Sequence, residues 1–481
     1  MTIDVRQISP YDVVTRNDPR FDGQFYSAVM TTGIFCRPGC PAKPRSENVR
    51  FFATAAAAAE SGFRPCLRCH PELAPDPPEW QHASPVVSRA LRLIGEGILD
   101  ESGIDELARR LNISCRQLQR LFVEELGAPP VAVAQTRRLL FAKKLIDETD
   151  LSMAEIAFSA GYTSVRRFNE AIRQTYARTP TELRQRRRRA IVEPAGTTID
   201  LKLFYRQPYN WPAMLAFLAE HATPLVEAVD AQSYRRTIRM DGASGIIEVR
   251  PLPRQPAVLL RAPFKLARHL LPLTERVKQL FDLKADPAAI DECLLRDPEL
   301  APLVRSAPGM RLPGSWDGYE VALRALLDAS APHQGKALVT ALVTTFGDML
   351  PESSDLALSY LFPTPDRLGV VPLVDIGLSA PLAHAIQRLS RAVADGSLTF
   401  GGAASLSTLS AQLSAIPGID APIIHAVALR VLGEPDLCFT DNPLMSPDAL
   451  VRPELTPDYS ERGRPWRSYA FMYRSATARS A

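Results

Sequence analysis

Four cysteines near the start of the chain constrain its fold more than any other feature. Cys36 and Cys40 form a C-x3-C pair, Cys66 and Cys69 form a C-x2-C pair, and 25 residues separate the two pairs. Each pair can place two thiolates on one tetrahedral ion, and four sulfur ligands at this spacing select zinc. On spacing alone, a closed zinc site that only stabilises a small domain is favoured. The other cysteines are scattered singly: Cys115, Cys293 and Cys438.

The residues around these cysteines indicate a chemical function. The stretches Thr31–Cys40, Arg45–Val49 and Gly62–Cys69 closely resemble the N-terminal domain of the bacterial adaptive-response regulator family Ada. The resemblance covers roughly residues 1–78. It implies that Cys36, one of the four zinc ligands, accepts a methyl group from a methylated DNA phosphate. It also implies that three residues face the DNA: Thr32, Lys43 and Arg64.

Methyl transfer to a zinc-bound cysteine is physically reasonable. A zinc-bound thiol is deprotonated at neutral pH and needs no separate base. A methyl phosphotriester carries an electrophilic methyl carbon, and a phosphodiester anion can leave without proton transfer. Four thiolates make the zinc site net negative, so alkylation of one sulfur reduces its repulsion from DNA. The alternative for Lys43 and Arg64 is that they are only solvated surface charges.

The composition is that of an ordinary globular protein of about three domains. The chain has 481 residues, of which 46% are hydrophobic and 23% charged,. No apolar stretch predicts a signal peptide or a membrane span, so we expect no membrane partner. The cysteine usage fits a metal site in the reducing cytoplasm. The net charge is only +3, but the almost continuous arginine run Arg184–Arg189 concentrates positive charge, as DNA binding requires,.

Two helix-turn-helix patterns lie between a proline-punctuated stretch at residues 70–85 and a break at Pro194–Gly196,. In the first pattern Asn112 ends one helix and Ser114 caps the next; the second pattern spans Met153–Asn169,. The segment resembles the DNA-binding domain of AraC-type transcription regulators, which Ada proteins also carry. The alternative is a generic helical bundle with basic exposed faces. The resemblance implies these DNA-binding residues: Arg116, Gln117, Arg120, Ser164, Arg166, Arg167 and Asn169.

The last 285 residues predict a small antiparallel sheet followed by a helical body. Thr237–Met240 and Gly245–Val249 flank Asp241-Gly242, a hairpin signal, and the pattern becomes helical from about residue 272,. Three motifs in this segment resemble the AlkA-type alkylbase DNA glycosylases of the helix-hairpin-helix superfamily: Leu280–Pro287, Pro308–Gly318 and Arg464–Ala470. Such enzymes flip an alkylated base into a pocket and use a carboxylate to help break the glycosidic bond.

The hairpin of this glycosylase pattern is altered. Within Leu413–Pro422 the backbone around Gly418 should bind a DNA phosphate, but Asp420 replaces the second glycine. A carboxylate repels the phosphate, and an aspartate is expected to tolerate the turn less well than glycine.

Two further departures affect the catalytic parts. Alignment places Asn442 at the catalytic aspartate, and an amide cannot replace a carboxylate; a one-residue shift would instead bring in Asp441,. The residues expected to wedge into the DNA are Ala329 and Ser330, which offer little to insert,. The three departures together predict weakened glycosylase activity. Three aromatic residues are candidates for a base pocket, although such residues are more often core: Tyr209, Trp211 and Trp316,.

We therefore predict a multidomain protein that binds zinc and double-stranded DNA. Its parts are a small α+β zinc domain (1–78), an all-α double helix-turn-helix domain (79–190), and an α+β glycosylase-like domain with a small antiparallel sheet (196–272) and a helix-hairpin-helix body (273–481). The resemblances imply an irreversible, stoichiometric methylphosphotriester-DNA methyltransferase. Its methylated form would activate repair genes, with RNA polymerase as a partner. A Pro-Cys-His-Arg motif is absent, so we expect no repair of alkylated guanine oxygen.

Two alternatives stay open. One is a fully active DNA-3-methyladenine glycosylase of base excision repair that the N-terminal half regulates. The other is a transcription factor whose zinc is only structural and which carries out no chemistry.

Overall fold

The structure is a computed structural model that describes residues 9–77, 84–186, 197–331, 334–350, 355–401, 404–437 and 463–480. Residues 477–480 are described by their backbone only. The first unit, residues 9–77, is a four-stranded sheet with two short helices. Its elements are α1 (Pro10–Arg16), β1 (Tyr26–Val29), β2 (Ile34–Cys36), β3 (Val49–Phe52), α2 (Ala55–Glu60) and β4 (Arg64–Pro65). The strand order is β3-β1-β2-β4; β4 pairs with β2 in parallel, and the other pairs are antiparallel.

The second unit, residues 84–186, is entirely helical in its regular structure. It consists of α3 (Pro85–Gly95), α4 (Ile98–Glu101), α5 (Ile104–Arg110), α6 (Cys115–Leu126), α7 (Pro130–Glu148), α8 (Met153–Ser159), α9 (Val165–Tyr176) and α10 (Pro180–Gln185). The predicted cap at Ser114 is confirmed, because its hydroxyl accepts a hydrogen bond at the start of α6,. The Ser164 hydroxyl caps α9 in the same way, although the family resemblance predicted only a DNA-binding role for it. Asn112 turns the chain between α5 and α6 with φ +56°,. The double helix-turn-helix prediction is therefore confirmed.

A five-stranded antiparallel sheet follows. Its strands are β5 (Thr198–Phe204), β6 (Glu227–Val229), β7 (Tyr234–Met240), β8 (Ala243–Pro251) and β9 (Ala257–Pro263), with α11 (Trp211–Glu220) between β5 and β6. The strand order is β5-β9-β8-β7-β6. The predicted hairpin is confirmed: Asp241 and Gly242 join β7 to β8 with φ values of 42° and 84°, as a type I′ turn requires,.

The rest of the described chain is a helical body. It contains α12 (Leu270–Leu280), α13 (Pro287–Leu294), α14 (Leu300–Ser306), α15 (Gly318–Ser330), α16 (Gly335–Phe346), β10 (Asp348–Met349), β11 (Tyr360–Leu361), α17 (Pro365–Leu368), α18 (Ala380–Ala394), α19 (Leu406–Ser414), α20 (Ala421–Val427) and α21 (Arg467–Ser480). Helix α15 lies at its centre, buried along most of its length and in contact with α16, α18 and α20. Among the described helices, none combines the length and apolar character that a membrane crossing needs,.

Helix α7 belongs to the same apolar core as the five-stranded sheet. Its Leu145 and Ile146 are fully buried and lie in one cluster with Phe168 of α9 and with Leu201 and Leu260 of the sheet. The second helix-turn-helix and the sheet are therefore not two independently packed bodies, because they bury their apolar faces against each other.

Two consecutive lysines of α7 are buried and connect it to different units. Lys143, 2% exposed, is 3.4 Å from Glu72 of the zinc unit and also pairs with Asp147. Lys144, 5% exposed, is 2.8 Å from Glu148 and donates a hydrogen bond to the carbonyl oxygen of Lys202 in β5. Buried ammonium groups need such partners, so they fix the position of α7 against both neighbours.

Arg206 joins the zinc unit to the sheet and the helical body. The residue is 3% exposed, and its guanidinium donates hydrogen bonds to the carbonyl oxygens of Asp22 at 2.9 Å, Asp76 at 3.0 Å and Lys284 at 2.9 Å. One buried side chain therefore satisfies backbone acceptors from separate parts of the chain.

We predict that Arg206→Ala lowers the free energy of unfolding by about 3 kcal/mol, because it leaves buried carbonyl oxygens without a donor. Urea unfolding of the zinc-loaded protein measures this loss. The control is Arg254→Ala, at an exposed position in the turn between β8 and β9, which should change the free energy by less than about 0.5 kcal/mol. Equal effects of the two substitutions would contradict the role of Arg206.

Candidate metal centre and DNA-binding surface

The fold brings the two cysteine pairs together at one end of two parallel strands. Cys36 is the last residue of β2, and Cys66 directly follows β4. The backbone N–H of Cys66 donates to the carbonyl oxygen of Phe35 at 3.0 Å, which fixes the two chain segments side by side. Cys40 and Cys69 each lie in the turn that follows, so all four predicted ligands converge.

The geometry of the four sulfurs fits a zinc ion. All four Sγ atoms lie within 4.8 Å of one another. Tetrahedral zinc with Zn–S bonds of about 2.3 Å places its sulfurs about 3.8 Å apart, within that spread. The side chains are buried, with residue exposures from 1% for Cys40 to 9% for Cys66. A buried four-sulfur set of this size suits zinc and does not suit hard cations such as magnesium or calcium, which prefer oxygen ligands.

Hydrogen bonds within the cluster shift the pKa values of its thiols in opposite directions: those of Cys36 and Cys69 are raised, and those of Cys40 and Cys66 are lowered. The bond with Cys36 lowers the pKa of the Cys40 thiol to about 7. Bonds with Cys36, Cys40 and Cys69 lower the pKa of Cys66 further. The backbone N–H of Arg68 also points at the Cys66 sulfur, at 3.4 Å, and stabilises a thiolate there,.

Two supporting residues were not singled out from the sequence. Asp22, 2% exposed, accepts a hydrogen bond from the Gly39 N–H at 2.8 Å and is ion-paired with Arg37. Arg37 in turn donates to the carbonyl oxygen of Cys69 at 2.7 Å. These contacts hold the Cys40 turn against the Cys69 turn. Arg37 lies inside the motif around Cys36, but the sequence around Asp22 carries no comparable signal.

The three predicted DNA-facing residues of this unit lie at or near its surface. Thr32 is exposed in the turn between β1 and β2, and Arg64 is half-buried on β4. The Arg64 N–H donates to the carbonyl oxygen of Gly33 at 2.9 Å, so Thr32 and Arg64 are neighbours. Lys43 is exposed in the loop after Cys40. Their contact with DNA stays a prediction.

Helix α6 presents the first set of predicted DNA contacts. Leu118, Phe122 and Leu126 bury one face of the helix. The opposite face exposes three residues that carry hydrogen-bond donors suited to phosphates and base edges: Arg116, Gln117 and Arg120,.

Helix α9 presents the second set and also contacts the zinc unit. Arg166 and Arg167 are exposed, Asn169 is half-buried, and Ser164 uses its hydroxyl to cap the helix, accepting from the Arg167 N–H at 3.3 Å. The helix packs against β4, the strand that carries Arg64. The structure therefore places a predicted recognition helix beside the strand that leads into Cys66.

The hairpin between α19 and α20 corrects one expectation. Gly418 has φ +90° and is exposed, as a phosphate-binding turn requires,. Asp420, however, has φ −109°, which any residue adopts, so the prediction that aspartate strains this turn is wrong. Its carboxylate caps α20 by accepting from the Ile423 N–H at 3.3 Å,. The carboxylate thus occupies the helix start, where a phosphate would otherwise accept N–H groups.

The other glycosylase positions are only partly visible. Asp441 and Asn442 lie outside the described residues. Ala329 and Ser330 are the last two residues of α15, half-buried and exposed respectively.

Of the aromatic candidates, Trp211 stacks on Phe281, with the two ring centres 5.3 Å apart. Tyr209 packs beside Trp211 at 5.7 Å and donates its hydroxyl to the Phe281 carbonyl oxygen at 2.8 Å. Trp211 and Tyr209 therefore serve packing.

Comparison with known proteins finds a family match for the zinc unit, for the helix-turn-helix unit, and for the sheet with the start of the helical body. Residues 9–72 match the metal binding domain of Ada, residues 107–186 match a helix-turn-helix domain, and residues 200–317 match the AlkA N-terminal domain. A probable bifunctional transcriptional activator/DNA repair enzyme AlkA from Mycobacterium tuberculosis is 37% identical over 479 residues, which cover 96% of this chain and 95% of that protein. The chain belongs to the family of this bifunctional transcriptional activator/DNA repair enzyme.

Two further relatives match separate parts of this family member. DNA-3-methyladenine glycosylase 2 of Escherichia coli is 29% identical over 282 residues, covering 56% of this chain and 95% of that enzyme. The bifunctional transcriptional activator/DNA repair enzyme Ada of Escherichia coli is 41% identical over 126 residues, covering 26% of this chain and 34% of that protein. The predicted resemblances, and zinc as the metal of the four-cysteine centre, are confirmed.

We predict that Cys40→Ser lowers zinc affinity by more than the roughly 10- to 100-fold that loss of a supporting residue costs, because it removes one of four direct ligands. Zinc content after dialysis against a chelator measures this loss. The control Cys115→Ser lies outside the cluster, on α6, and should retain zinc as the unmodified protein does. Full zinc retention by Cys40→Ser would contradict the four-ligand assignment.

Proposed function

We propose that this protein senses DNA alkylation by transferring a methyl group from a DNA methylphosphotriester to Cys36, and that the methylated protein activates repair genes. The observation that carries the proposal is the buried four-thiol centre beside a predicted recognition helix. The relatives named bifunctional transcriptional activator/DNA repair enzyme support it. We place the activity in the cytoplasm, with RNA polymerase as the partner of the activated form.

The transfer is a direct displacement. A lone pair of the Cys36 thiolate attacks the methyl carbon, a carbon–sulfur bond forms, and the methyl carbon–oxygen bond breaks. The electron pair of that bond stays on the phosphate oxygen, which leaves as a phosphodiester anion. Zinc bound by the four sulfurs would keep Cys36 deprotonated at neutral pH. A thioether cannot easily lose its methyl group again, so each chain reacts once.

The same step changes the charge that the centre presents to DNA. Conversion of a thiolate to a thioether removes one negative charge. The neighbouring Arg64 and the exposed Lys43 then attract the phosphate backbone with less opposition,. Because β4 packs against α9, this change occurs beside the second helix-turn-helix. Methylation is thereby converted into tighter promoter binding.

We predict one methyl group per chain, on Cys36, after incubation with DNA that carries methylphosphotriesters. Peptide mass spectrometry localises the adduct. DNA of the same sequence without alkylated phosphates is the control and should leave the protein unmodified. An adduct on Cys66, the most exposed sulfur residue of the cluster, would reassign the acceptor. The absence of any adduct would favour a transcription factor with a structural zinc.

We predict that the methylated protein binds promoter DNA more tightly than the unmethylated protein. We also predict that Lys43→Gln lowers the DNA affinity of both forms, and by about the same factor for every DNA sequence. The reason is that a phosphate contact carries no base information, so its loss should reduce the salt slope of log affinity by about one. Fluorescence anisotropy at several salt concentrations measures the slope. The control Lys265→Gln removes a lysine of the 3-10 helix after β9, outside the zinc unit and helices α6 and α9, and should leave the slope unchanged.

For the helical body we propose a retained glycosylase fold with weakened catalysis. The Asp420 carboxylate at the start of α20 and the short side chains at the end of α15 support this proposal. The match to DNA-3-methyladenine glycosylase 2 covers 95% of that enzyme. This match favours the alternative, a working DNA-3-methyladenine glycosylase. Both readings need a test at position 442.

We predict little release of 3-methyladenine from alkylated DNA by the unmodified protein and measurable release by Asn442→Asp, because a carboxylate can stabilise the developing oxocarbenium ion and an amide cannot. Chromatography of the freed base measures both. Asn442→Ala is the control for a change of size without a new charge. Efficient release by the unmodified protein would mean that Asp441 or another group supplies the carboxylate.

A further inference from the structure

A cavity of about 540 Å³ lies where the helix-turn-helix unit, the five-stranded sheet and the helical body meet. Its wall includes Arg92 and Glu96 of α3, Arg276 of α12, and Trp316 just before α15. None of its lining residues belongs to the zinc unit or to the hairpin between α19 and α20. The cavity is therefore separate from the predicted sites of methyl transfer and phosphate binding.

Trp316 is held between two arginines in this wall. The guanidinium carbon of Arg236 is 5.1 Å from the centre of its ring, and that of Arg276 is 5.3 Å away,. Arg236 is 2% exposed and bonds Glu320 through both carboxylate oxygens, at 2.9 and 3.0 Å. The charge of Arg236 is thus already balanced inside the protein.

Arg276 differs from Arg236 in its polar contacts. It is half-buried, and among the residues that the structure describes it makes no hydrogen bond or ion pair. Its five N–H donors are planar and suited to the two oxygens of a phosphate or carboxylate. A guanidinium that lines a cavity without an anionic partner can bind an anionic ligand.

The described part of the wall holds four acidic residues, and none of them makes an ion pair with Arg276: Glu96, Glu275, Asp317 and Glu320. Glu275 is 2.7 Å from Lys278 and 3.1 Å from Lys284. Asp317 caps α15 by accepting from the Tyr319 N–H at 2.8 Å. Glu320 is the partner of Arg236. The positive charge of Arg276 is therefore available to a ligand.

The rest of the wall offers aromatic surface. Phe362 and Phe400 are half-buried and line the cavity together with Pro363. The cavity measures several hundred Å³, lies at a junction of units, and combines aromatic surface with charged side chains, a form suited to an amphipathic small molecule,. Phe362 and Phe400 suit a planar ring, and Arg276 suits a phosphate.

We propose that this cavity binds an aromatic anion of nucleotide size, with the phosphate on Arg276 and the planar base against Phe362 and Phe400. A ligand there contacts α3 of the helix-turn-helix unit as well as the glycosylase-like unit. It links the two and stabilises their arrangement. The site does not depend on methyl transfer at Cys36.

The test is calorimetric titration of the full zinc-loaded protein with 2′-deoxyadenosine 5′-monophosphate. We expect saturable binding, which Arg276→Ala weakens by about 10-fold or more, since a charge-assisted hydrogen bond contributes at least that much. Arg268→Ala is the matched control: Arg268 also stacks on an aromatic ring, 5.6 Å from the centre of Phe158, but does not line the cavity. It should bind the nucleotide as the unmodified protein does.

Two further titrations decide the ligand class. Inorganic phosphate and adenine should each bind much more weakly than the nucleotide. Phosphate as tight as the nucleotide would overturn the aromatic half of the proposal, and adenine as tight would overturn the role of Arg276. If Arg276→Ala misfolds, as shown by loss of zinc or of helical circular dichroism, Arg276→Lys replaces it and should still weaken binding. The absence of nucleotide binding to the unmodified protein overturns the whole proposal.

Discussion

Two buried ammonium groups on α7 set the arrangement of the units. An ammonium group removed from water is stable only with anionic or carbonyl partners close by. Lys143 takes one of its partners from the zinc unit, and Lys144 takes one from the first strand of the sheet. Separation of helix α7 from either neighbour would remove one of the partners that stabilise a buried ammonium group. The apolar side chains of the same helix complete the core that it shares with the sheet.

This arrangement connects the metal centre to the DNA-binding helices through short contacts. His70, the residue after Cys69, lies 2.9 Å from Glu72 and 3.2 Å from Asp147 of α7. On the other side, β4 packs against α9. The zinc unit and the second helix-turn-helix are therefore parts of one packed body. Any change of charge at the sulfurs would therefore occur at a fixed distance from α9, a predicted recognition helix.

The glycosylase-like unit separates fold from chemistry. Its core depends on apolar residues around α15. Its expected chemistry depends on a few side chains at loops and helix ends, and it is there that we predict departures from the family pattern. Asp420 shows how both can hold at once, because its carboxylate is favourable as a helix cap and unfavourable for a phosphate,. A fold can persist while its site changes, since different residues carry the two.

Sequence by itself determined the local features of this protein. Spacing identified the zinc ligands, helical periodicity with the Ser114 cap placed the first predicted recognition helix, and Asp241-Gly242 placed the hairpin. These signals depend on residues that lie close together in the chain, so they can be recognised from the sequence alone. Even the local reading failed at Asp420, because the backbone angle that a turn residue adopts depends on the helix that follows.

Only the tertiary structure decided which distant residues support these features. Asp22 holds the Cys40 turn, Arg206 bonds to carbonyl groups of three chain segments, and Arg276 lines a cavity between units. Each of these roles depends on partners far away in sequence. The sequence does not show whether a charged residue will be solvated or buried, because its partner depends on how the chain packs.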